Sequence, residues 1–358
     1  MKPAASIVIR CDGGPTVGWG HVMRCLALAD ALAASGARVT FATWADSRAV
    51  AERMRAAGFA TISVGRSVPR DEPLEAADLD ATLAAARAVG AAAILVDHYQ
   101  AHESYLAGIR ASGVGLAVID DVADRDLTGA RWLLNQNPRA DRLLYSVSSR
   151  AIRLLGPQYA LLRKQFAAAR AKLRRSFDAN DNRVLITFGG SAMADRIRAV
   201  LAAFEDVTRE LEVRCILPSP DQLAEVEKAV GTSRHTVTVV TNVSDMAREI
   251  VMSDVSVNGG GATCWELCCL GTPMVTVSLS DDQSDNVSEL ASRGVARGVG
   301  VWQDSSPRAI AQAVAELLDA PDERAAMSAR GMALVDGLGA GRAAKSLLET
   351  FAVAGVGA

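Results

Sequence analysis

The chain has 358 residues, enough for two domains of ordinary size, and half of it is hydrophobic although aromatics make up only 4%. Its formal net charge is −3 with acidic and basic residues interspersed, so no basic stripe argues for a nucleic-acid partner. No stretch approaches about 18 apolar residues and the opening M-K-P-A-A-S-I-V-I-R has no signal-peptide core, so no membrane partner and a cytoplasmic location are expected.

In chain order, Ile7-Val8-Ile9 is a short β-branched run, as in a buried parallel strand. It ends in a loop with four glycines and a proline, Gly13 to Gly20, which cannot continue a strand. Val22, Cys25, Leu26, Ala29 and Leu32 then recur at helical spacing, so a helix starts near His21. The spacing next predicts strands at Ala37–Thr43, Ala60–Val64, Ala92–Val96, Gly115–Ile119 and Trp132–Leu134, with helices at Ser47–Ala57, Leu74–Val89 and His102–Ala111. Strands alternating with helices imply βαβ units and a parallel sheet.

Near Leu154 the pattern breaks into L-L-G-P-Q-Y-A-L-L-R, a basic helix Lys164–Arg175 and a polar stretch Ser176–Arg183. Alternation restarts at Val184–Phe188, with strands at Glu212–Leu217, Thr236–Val240, Val255–Val257 and Met274–Ser278. The expected architecture is α/β, with two Rossmann-like parallel-sheet domains facing across a cleft: 1–155, a linker at 156–183, and 184–358.

The carboxyl ends of parallel strands are where such sheets bind ligands. In the first half that edge carries Arg10, Asp12 and His21, with Gly20 and Arg24 as further candidate substrate contacts. A helix N-terminus favours the neutral imidazole, which can accept a proton as a general base must, and Asp12 would hold the other ring nitrogen. The competing explanation is that His21 only caps the helix or binds a phosphate. The G-x-G-H run is not the dinucleotide fingerprint, which argues against a nicotinamide cofactor. The six cysteines lack metal spacing, so neither a metal nor a cofactor is expected.

Three further clusters sit at strand ends. Asp97-His98-Tyr99 follows an apolar strand, and Gly189-Gly190-Ser191 forms a glycine turn able to reach a phosphate. Gly259-Gly260-Gly261-Ala262-Thr263 opens a helix whose unpaired N–H groups suit a diphosphate. Glu266 has either capping-box spacing with Thr263 or a place on the ribose hydroxyls. Asp281 to Asn286 reads as a polar loop at the same edge, supplying Gln283 and Asn286.

The run I-R-C-D-G-G-P-T-V-G-W-G-H-V-M-R-C-L-A-L-A-D-A-L resembles the opening of the UDP-2,4-diacetamido-2,4,6-trideoxy-β-L-altropyranose hydrolases of pseudaminic acid biosynthesis. V-D-H-Y, V-I-D-D-V-A-D-R, L-L-N-Q-N-P, L-L-G-P-Q-Y-A-L-L-R, F-G-G-S and G-G-G-A-T-C-W-E-L-C-C-L-G-T-P are similar to that family in the same order. The second half also resembles, more distantly, the glycosyltransferase that makes lipid II, through D-M-A, A-T-x-x-E and a later Gln. The resemblance implies a GT-B architecture, a UDP-sugar partner bound by the C-terminal half, and water in place of an acceptor. It implies His21 as general base, Glu266 on the ribose, Gly260, Gly261, Ala262 and Thr263 on the diphosphate, and Asp97, His98 and Tyr99 on the sugar side. Val243, just before D-M-A, and Met246, within it, join the expected substrate contacts. Members usually read D-N-Q where this chain has Asp281-Asp282-Gln283, which makes Asp282 a catalytic candidate that departs from the pattern.

Three activities follow as expectations. The first is an inverting hydrolase that releases UDP from a 2,4-diamino-trideoxy sugar. The second is a GT-B glycosyltransferase with an alcohol or amine acceptor, although the chain lacks the basic-apolar patch of a lipid acceptor site. The third is a non-catalytic sugar-nucleotide binder. A monomer or weak homodimer is expected in each case.

Overall fold

The structure, a computed structural model, describes residues 5–14, 18–69, 72–189, 193–218, 220–279 and 281–352. The chain forms two units: one runs to Arg163 and resumes at Leu338, and the other is Lys164–Gly337.

The first unit contains β1 Ser6–Cys11, α1 Gly20–Ala34, β2 Arg38–Thr43, α2 Arg48–Ala56, β3 Ala60–Ser63 and α3 Ala76–Ala88. It continues with β4 Ala93–Asp97, α4 Glu103–Ala111, β5 Gly115–Ile119, β6 Ala130–Asn135 and β7 Ile152–Leu155. The second unit has α5 Lys164–Lys172, β8 Arg183–Thr187, α6 Ala194–Phe204, β9 Glu212–Leu217, α7 Leu223–Val230, β10 Thr236–Thr241 and α8 Met246–Val251. After these come β11 Val255–Gly259, α9 Thr263–Leu270, β12 Met274–Ser278, α10 Asp281–Ser292, β13 Arg297–Val301, α11 Pro307–Leu318 and α12 Pro321–Leu334. The last helix, α13 Gly339–Ala352, belongs to the first unit.

The first sheet has seven strands in the order β3-β2-β1-β4-β5-β6-β7, and the second has six in the order β10-β9-β8-β11-β12-β13. Every ladder is parallel. Both sheets therefore wind outward in two directions, from β1 and β4 in one and from β8 and β11 in the other. Strands β7 and β13 escape the sequence reading because Ile152–Leu155 is short and Arg297–Val301 alternates with glycine.

Helices cover both faces of the first sheet. Ile7, Ile9 and Cys11 pack with Val22, Cys25 and Leu28 of α1, while Val8, Ile94 and Val96 pack on the opposite side with Leu106 and Ile109 of α4. The expected boundaries differ from those observed at two places. Ala343, Ala344, Leu347 and Phe351 form one buried face of α13 and join the core of α1 and β1, so residues after 338 return to the first unit. Gly115 is shaped by this packing, since a Cβ there would lie 2.4 Å from Phe351.

The stretch expected as a linker is divided between the units: 156–163 close the first, and the residues from Lys164 begin the second. Arg170 donates to the carbonyls of Cys269, Met332 and Val335, and Arg175 to those of Ile250, Ser253 and Leu270. The two guanidinium groups thus occupy carbonyls left open at the ends of α8, α9 and α12. Burial without a carboxylate in contact pushes Arg175 down to about 10.

Phe351→Ala should lower the unfolding free energy by about 3–5 kcal/mol, the usual cost of emptying a fully buried aromatic site. Denaturant unfolding checks this, and a change near zero would place α13 outside the first unit's core.

Candidate functional site

The two switch points, where neighbouring strands wind in opposite directions, are where sheets of this kind bind ligands in general. In the first unit the register pairs Cys11 of β1 with Asp97 of β4, so the loop after β1 and the end of β4 lie side by side. That loop is pinned by reciprocal backbone bonds between Gly14 and Gly18, at φ +114° and +87°, a region that favours glycine. Helix α1 then starts at Gly20, an exposed residue with open space around its Cα.

Trp19 is the N-cap and makes no side-chain cap bond, and His21, one residue into the helix, does not cap it either. Its Nδ1 lies 2.7 Å from Asp97 Oδ1. The expected partner was Asp12, so this is a correction: β4 delivers its terminal carboxylate to the ring, while Asp12 is held elsewhere. Arg24 keeps Asp97 ionised, with Nε 2.7 Å from Oδ2 and Nη2 2.6 Å from Oδ1. Cys25 Sγ adds a weak donor at 3.2 Å. These groups hold the Asp97 carboxyl well below the usual carboxylate range despite its burial. Arg24 Nη2, a donor, also stands 3.2 Å from His21 Nδ1, but the ionised Asp97 is the nearer partner and can only accept, so Nδ1 carries the proton and Nε2 is the ring's acceptor. Asp97 retains 1% exposure and His21 12%, so the imidazole is the member of the pair that can meet a ligand.

Arg24 also reaches Asp121, at the end of β5, with Nη1 2.8 Å from Oδ2. Asp121 accepts from Tyr99 Oη at 3.0 Å and from Asn137 Nδ2 at 2.9 Å. The Asp121 charge and burial push the Tyr99 phenol well above its ordinary value, so it stays protonated. Its ring stands edge-on to His21 with centroids 4.9 Å apart. Arg125 donates to the carbonyls of His98, Tyr99 and Ala101 and so fixes the turn that presents Tyr99. Asp121, Asn137 and Arg125 were not among the expected site residues. Their signal was present in V-I-D-D-V-A-D-R and L-L-N-Q-N-P, at the ends of the next two strands.

Arg10 and His98 belong to a second cluster behind the first. Arg10 is completely buried and bonds to Asp12 and to both oxygens of Asp78. Asp12 also accepts from Thr43 Oγ1 at 2.6 Å and from the Trp44 N–H at 2.8 Å. His98 Nδ1 accepts from the Gln100 N–H, which puts the neutral ring's proton on Nε2, 3.3 Å from Asp12 Oδ2. Arg10, Asp12 and His98 therefore position the strand ends and are too deeply buried for the catalytic and substrate contacts expected of them.

In the second unit, Gly189 lies two residues beyond β8 at φ +85°, with no described atom within 4 Å of a Cβ position. Gly190 and Ser191 lie outside the described residues. Gly259 and Gly260 end β11 before α9, and their lack of side chains serves packing. A Cβ on Gly260 would lie 2.7 Å from Val287 Cγ2, and one on Gly259 2.8 Å from Leu279 Cδ1. Gly261 has room among the described residues, Gln283 Nε2 lying 3.8 Å from a Cβ position. The N-cap of α9 is Ala262 and no side chain caps it, so Thr263 and Glu266 do not form a capping box. Glu266 is half-buried in the first turn. Asn258 is fully buried beneath this turn and accepts from Cys264 Sγ at 3.2 Å.

The expected polar loop from Asp281 to Asn286 is instead the first half of α10. Gln283 turns back toward Leu279, and Asn286 lies on the same helix. The side chain of Asp282 lies outside the described residues. Val243 is half-buried, whereas Met246 is buried at the start of α8 behind its N-cap Asp245. Met246 thus serves the core more than a ligand.

The paired doubly wound sheets are those of the GT-B fold. Among solved structures, Acinetobacter baumannii MurG superposes with a TM-score of 0.67 at 16% identity, covering 96% of this chain and 99% of that one. A UDP-glucosyltransferase from Polygonum tinctorium gives 0.69 at 12% identity, with 98% and 100% covered. Residues 184–339 match the glycosyltransferase family 28 C-terminal domain. The spore coat polysaccharide biosynthesis protein SpsG of Bacillus subtilis is 23% identical over 198 residues, which are 55% of this chain and 58% of that protein. An uncharacterized glycosyltransferase of Methanopyrus kandleri is 28% identical over 188 residues, 51% and 50% of the two chains. The alignments span between half and three-fifths of these relatives' own lengths. Among the described residues no helix is long and apolar enough to cross a membrane, and no side-chain group has the make-up of a metal site.

Stability should fall on acidification in two stages. Burial lowers His98 from its ordinary value, so below about pH 6.5 the unfolded chain binds a proton that the folded chain refuses. Asp12 and Asp97, both depressed, contribute stability that is complete above about pH 4 and is lost as pH falls further. Denaturant midpoints between pH 7 and 3 test this; His98→Gln should flatten the first stage and leave the second.

Proposed function

We propose that the protein is a sugar-nucleotide enzyme of the glycosyltransferase type, in which His21 activates the nucleophile that displaces a nucleoside diphosphate from the anomeric carbon. The observation that carries this is the pairing of His21 Nδ1 with the ionised Asp97 at 2.7 Å, which leaves Nε2 to accept a proton. In the reaction, Nε2 takes the proton of the attacking hydroxyl or amine. The new bond to the anomeric carbon forms as the bond to the diphosphate oxygen breaks, with inversion. Asp97 stabilises the imidazolium that results. The match of residues 184–339 to a glycosyltransferase C-terminal domain supports the second unit as the nucleotide holder, with the backbone N–H groups at the start of α9 taking up diphosphate charge. The resemblance of its motifs supports UDP as that nucleotide, with Glu266 on the ribose.

Water as the nucleophile is a second activity with its own support. Asp97, Tyr99, Asp121 and Asn137, the groups around His21, all fall in segments that resemble the UDP-sugar hydrolases. Incubation with a panel of UDP-amino sugars separates the two. UDP release without an acceptor indicates hydrolysis, release only with an added alcohol or amine indicates transfer, and UDP binding without release under either condition overturns both.

His21→Ala should reduce turnover by about 10²–10⁴-fold and leave UDP affinity little changed, as loss of a general base does. Near-normal turnover would exclude His21 as the base. Glu266→Ala should weaken UDP binding by about 1–3 kcal/mol in calorimetry, the scale of a charge-assisted hydrogen bond. Unchanged affinity would remove Glu266 from the nucleotide.

A further inference from the structure

His21 is surrounded by an uneven set of charges. Arg24 is one cation shared by two carboxylates, Asp97 at 2.6 Å and Asp121 at 2.8 Å. With a neutral imidazole this group carries one uncompensated negative charge, and with an imidazolium it is neutral. The other charged groups nearby balance within themselves or stand further back. Asp120 pairs with Arg125 at 3.1 Å, and Arg10 serves Asp12 and Asp78 on the far side of His98. Tyr99, protonated, donates to Asp121 and adds no charge.

Asp97 alone would be cancelled by Arg24, because the guanidinium spans both its oxygens. A carboxylate whose charge is cancelled orients a ring but stabilises its cation weakly. Asp121 restores the missing charge. It is fixed for this by three donors, Arg24, Tyr99 and Asn137, two of which are neutral.

We propose that Asp121 is a positioning residue for the base: by drawing on Arg24 and holding Tyr99 against the ring, it leaves the cluster one negative charge that the protonated His21 neutralises. This rests on His21 being the general base. Asp121 touches neither the imidazole nor the transferred proton; it sets how readily Nε2 keeps that proton while the new bond forms.

The test needs no substrate. The chain has four histidines, so proton NMR of the full-length protein can follow each imidazole through a pH titration, with His21→Ala identifying the His21 signal. In Asp121→Asn, which keeps the shape and an acceptor oxygen, the His21 midpoint should move to lower pH by about one pH unit, the scale for losing a nearby charge. Asp121→Glu, which keeps the charge, should return it toward the original position. An unmoved midpoint in the Asn variant, or equal displacement by Asn and Glu, would overturn the proposal. Where UDP release has been detected, Asp121→Asn should lower kcat about tenfold and shift the acidic limb of the rate profile the same way, with KM little changed. A KM change alone would make Asp121 a substrate contact and overturn the positioning role. Retained turnover in His21→Ala would instead remove the activity on which the proposal rests, whatever the Asp121 variants do.

Discussion

One guanidinium holds the first unit's working edge together. Arg24 extends from α1 and binds the carboxylates that end β4 and begin the loop after β5, so three segments distant in sequence meet on one planar cation. Burying such a set is costly unless each charge is matched and bonded, and removing one member of a buried pair typically costs about 3–5 kcal/mol because the other stays stranded. The position of His21 follows from this, since Asp97 cannot turn away without breaking two bonds to Arg24. The same arrangement recurs in a second, deeply buried cluster, with Arg10 between Asp12 and Asp78 and His98 against Asp12. The two histidines differ in exposure. His98 is sealed under Trp44, with ring centroids 5.1 Å apart, and keeps its strand ends in place, while His21 is partly open at the carboxyl edge of the sheet.

In the second unit, the described residues of the central strands are buried on both faces of the sheet. Val184, Ile186, Val257, Val275 and Val277 face α6 and α11, an apolar layer that fixes the sheet. Thr187, Ser256, Asn258, Thr276 and Ser278 line the opposite face and are also buried. Val287 and Gln283 of α10 lie so close to Gly260, and Leu279, between β12 and α10, so close to Gly259, that neither position leaves room for a Cβ. Their absent side chains bring the helix against the strand end and leave the α9 turn as exposed backbone beside Gly261. Glycine here sets the distance between elements and not a left-handed conformation.

The strand-helix alternation was legible because fully buried parallel strands are unbroken apolar runs, and Ile7–Ile9, Ala93–Val96 and Val184–Thr187 are of that kind. The placement of His21 and Glu266 at strand-loop-helix transitions was legible for the same reason. Pairing across the sheet was not. Asp12 is nearer to His21 in sequence than Asp97, yet the order β1-β4 brings Asp97 alongside and Thr43, from β2, claims Asp12. The start of α10 was misread because D-D-Q-S-D-N has the composition of a loop; Val287 and Leu290, beyond it, supply the burial that makes it helical. The return of α13 was equally hidden, since an amphipathic helix does not say which core it joins.

The two sheets share one winding order and use it differently. In the first, the switch point between β1 and β4 presents an imidazole, the side chain whose protonation can change, beside a carboxylate kept ionised and the arginine that divides its charge. In the second, the switch point between β8 and β11 presents backbone, a glycine turn and the unpaired N–H groups of a helix start. On the proposed activity, this division matches what displacement at an anomeric carbon requires. The nucleophile must lose a proton, which calls for a group with two protonation states near neutral pH. The leaving diphosphate gains charge without needing a proton, which fixed dipoles stabilise without reorganising. Exchanging the two would fail on both counts, because amide N–H groups cannot take up a proton and a buried carboxylate cluster would repel a diphosphate. The doubly wound sheet can host either kind of edge, and the residues at each switch point decide which one it becomes.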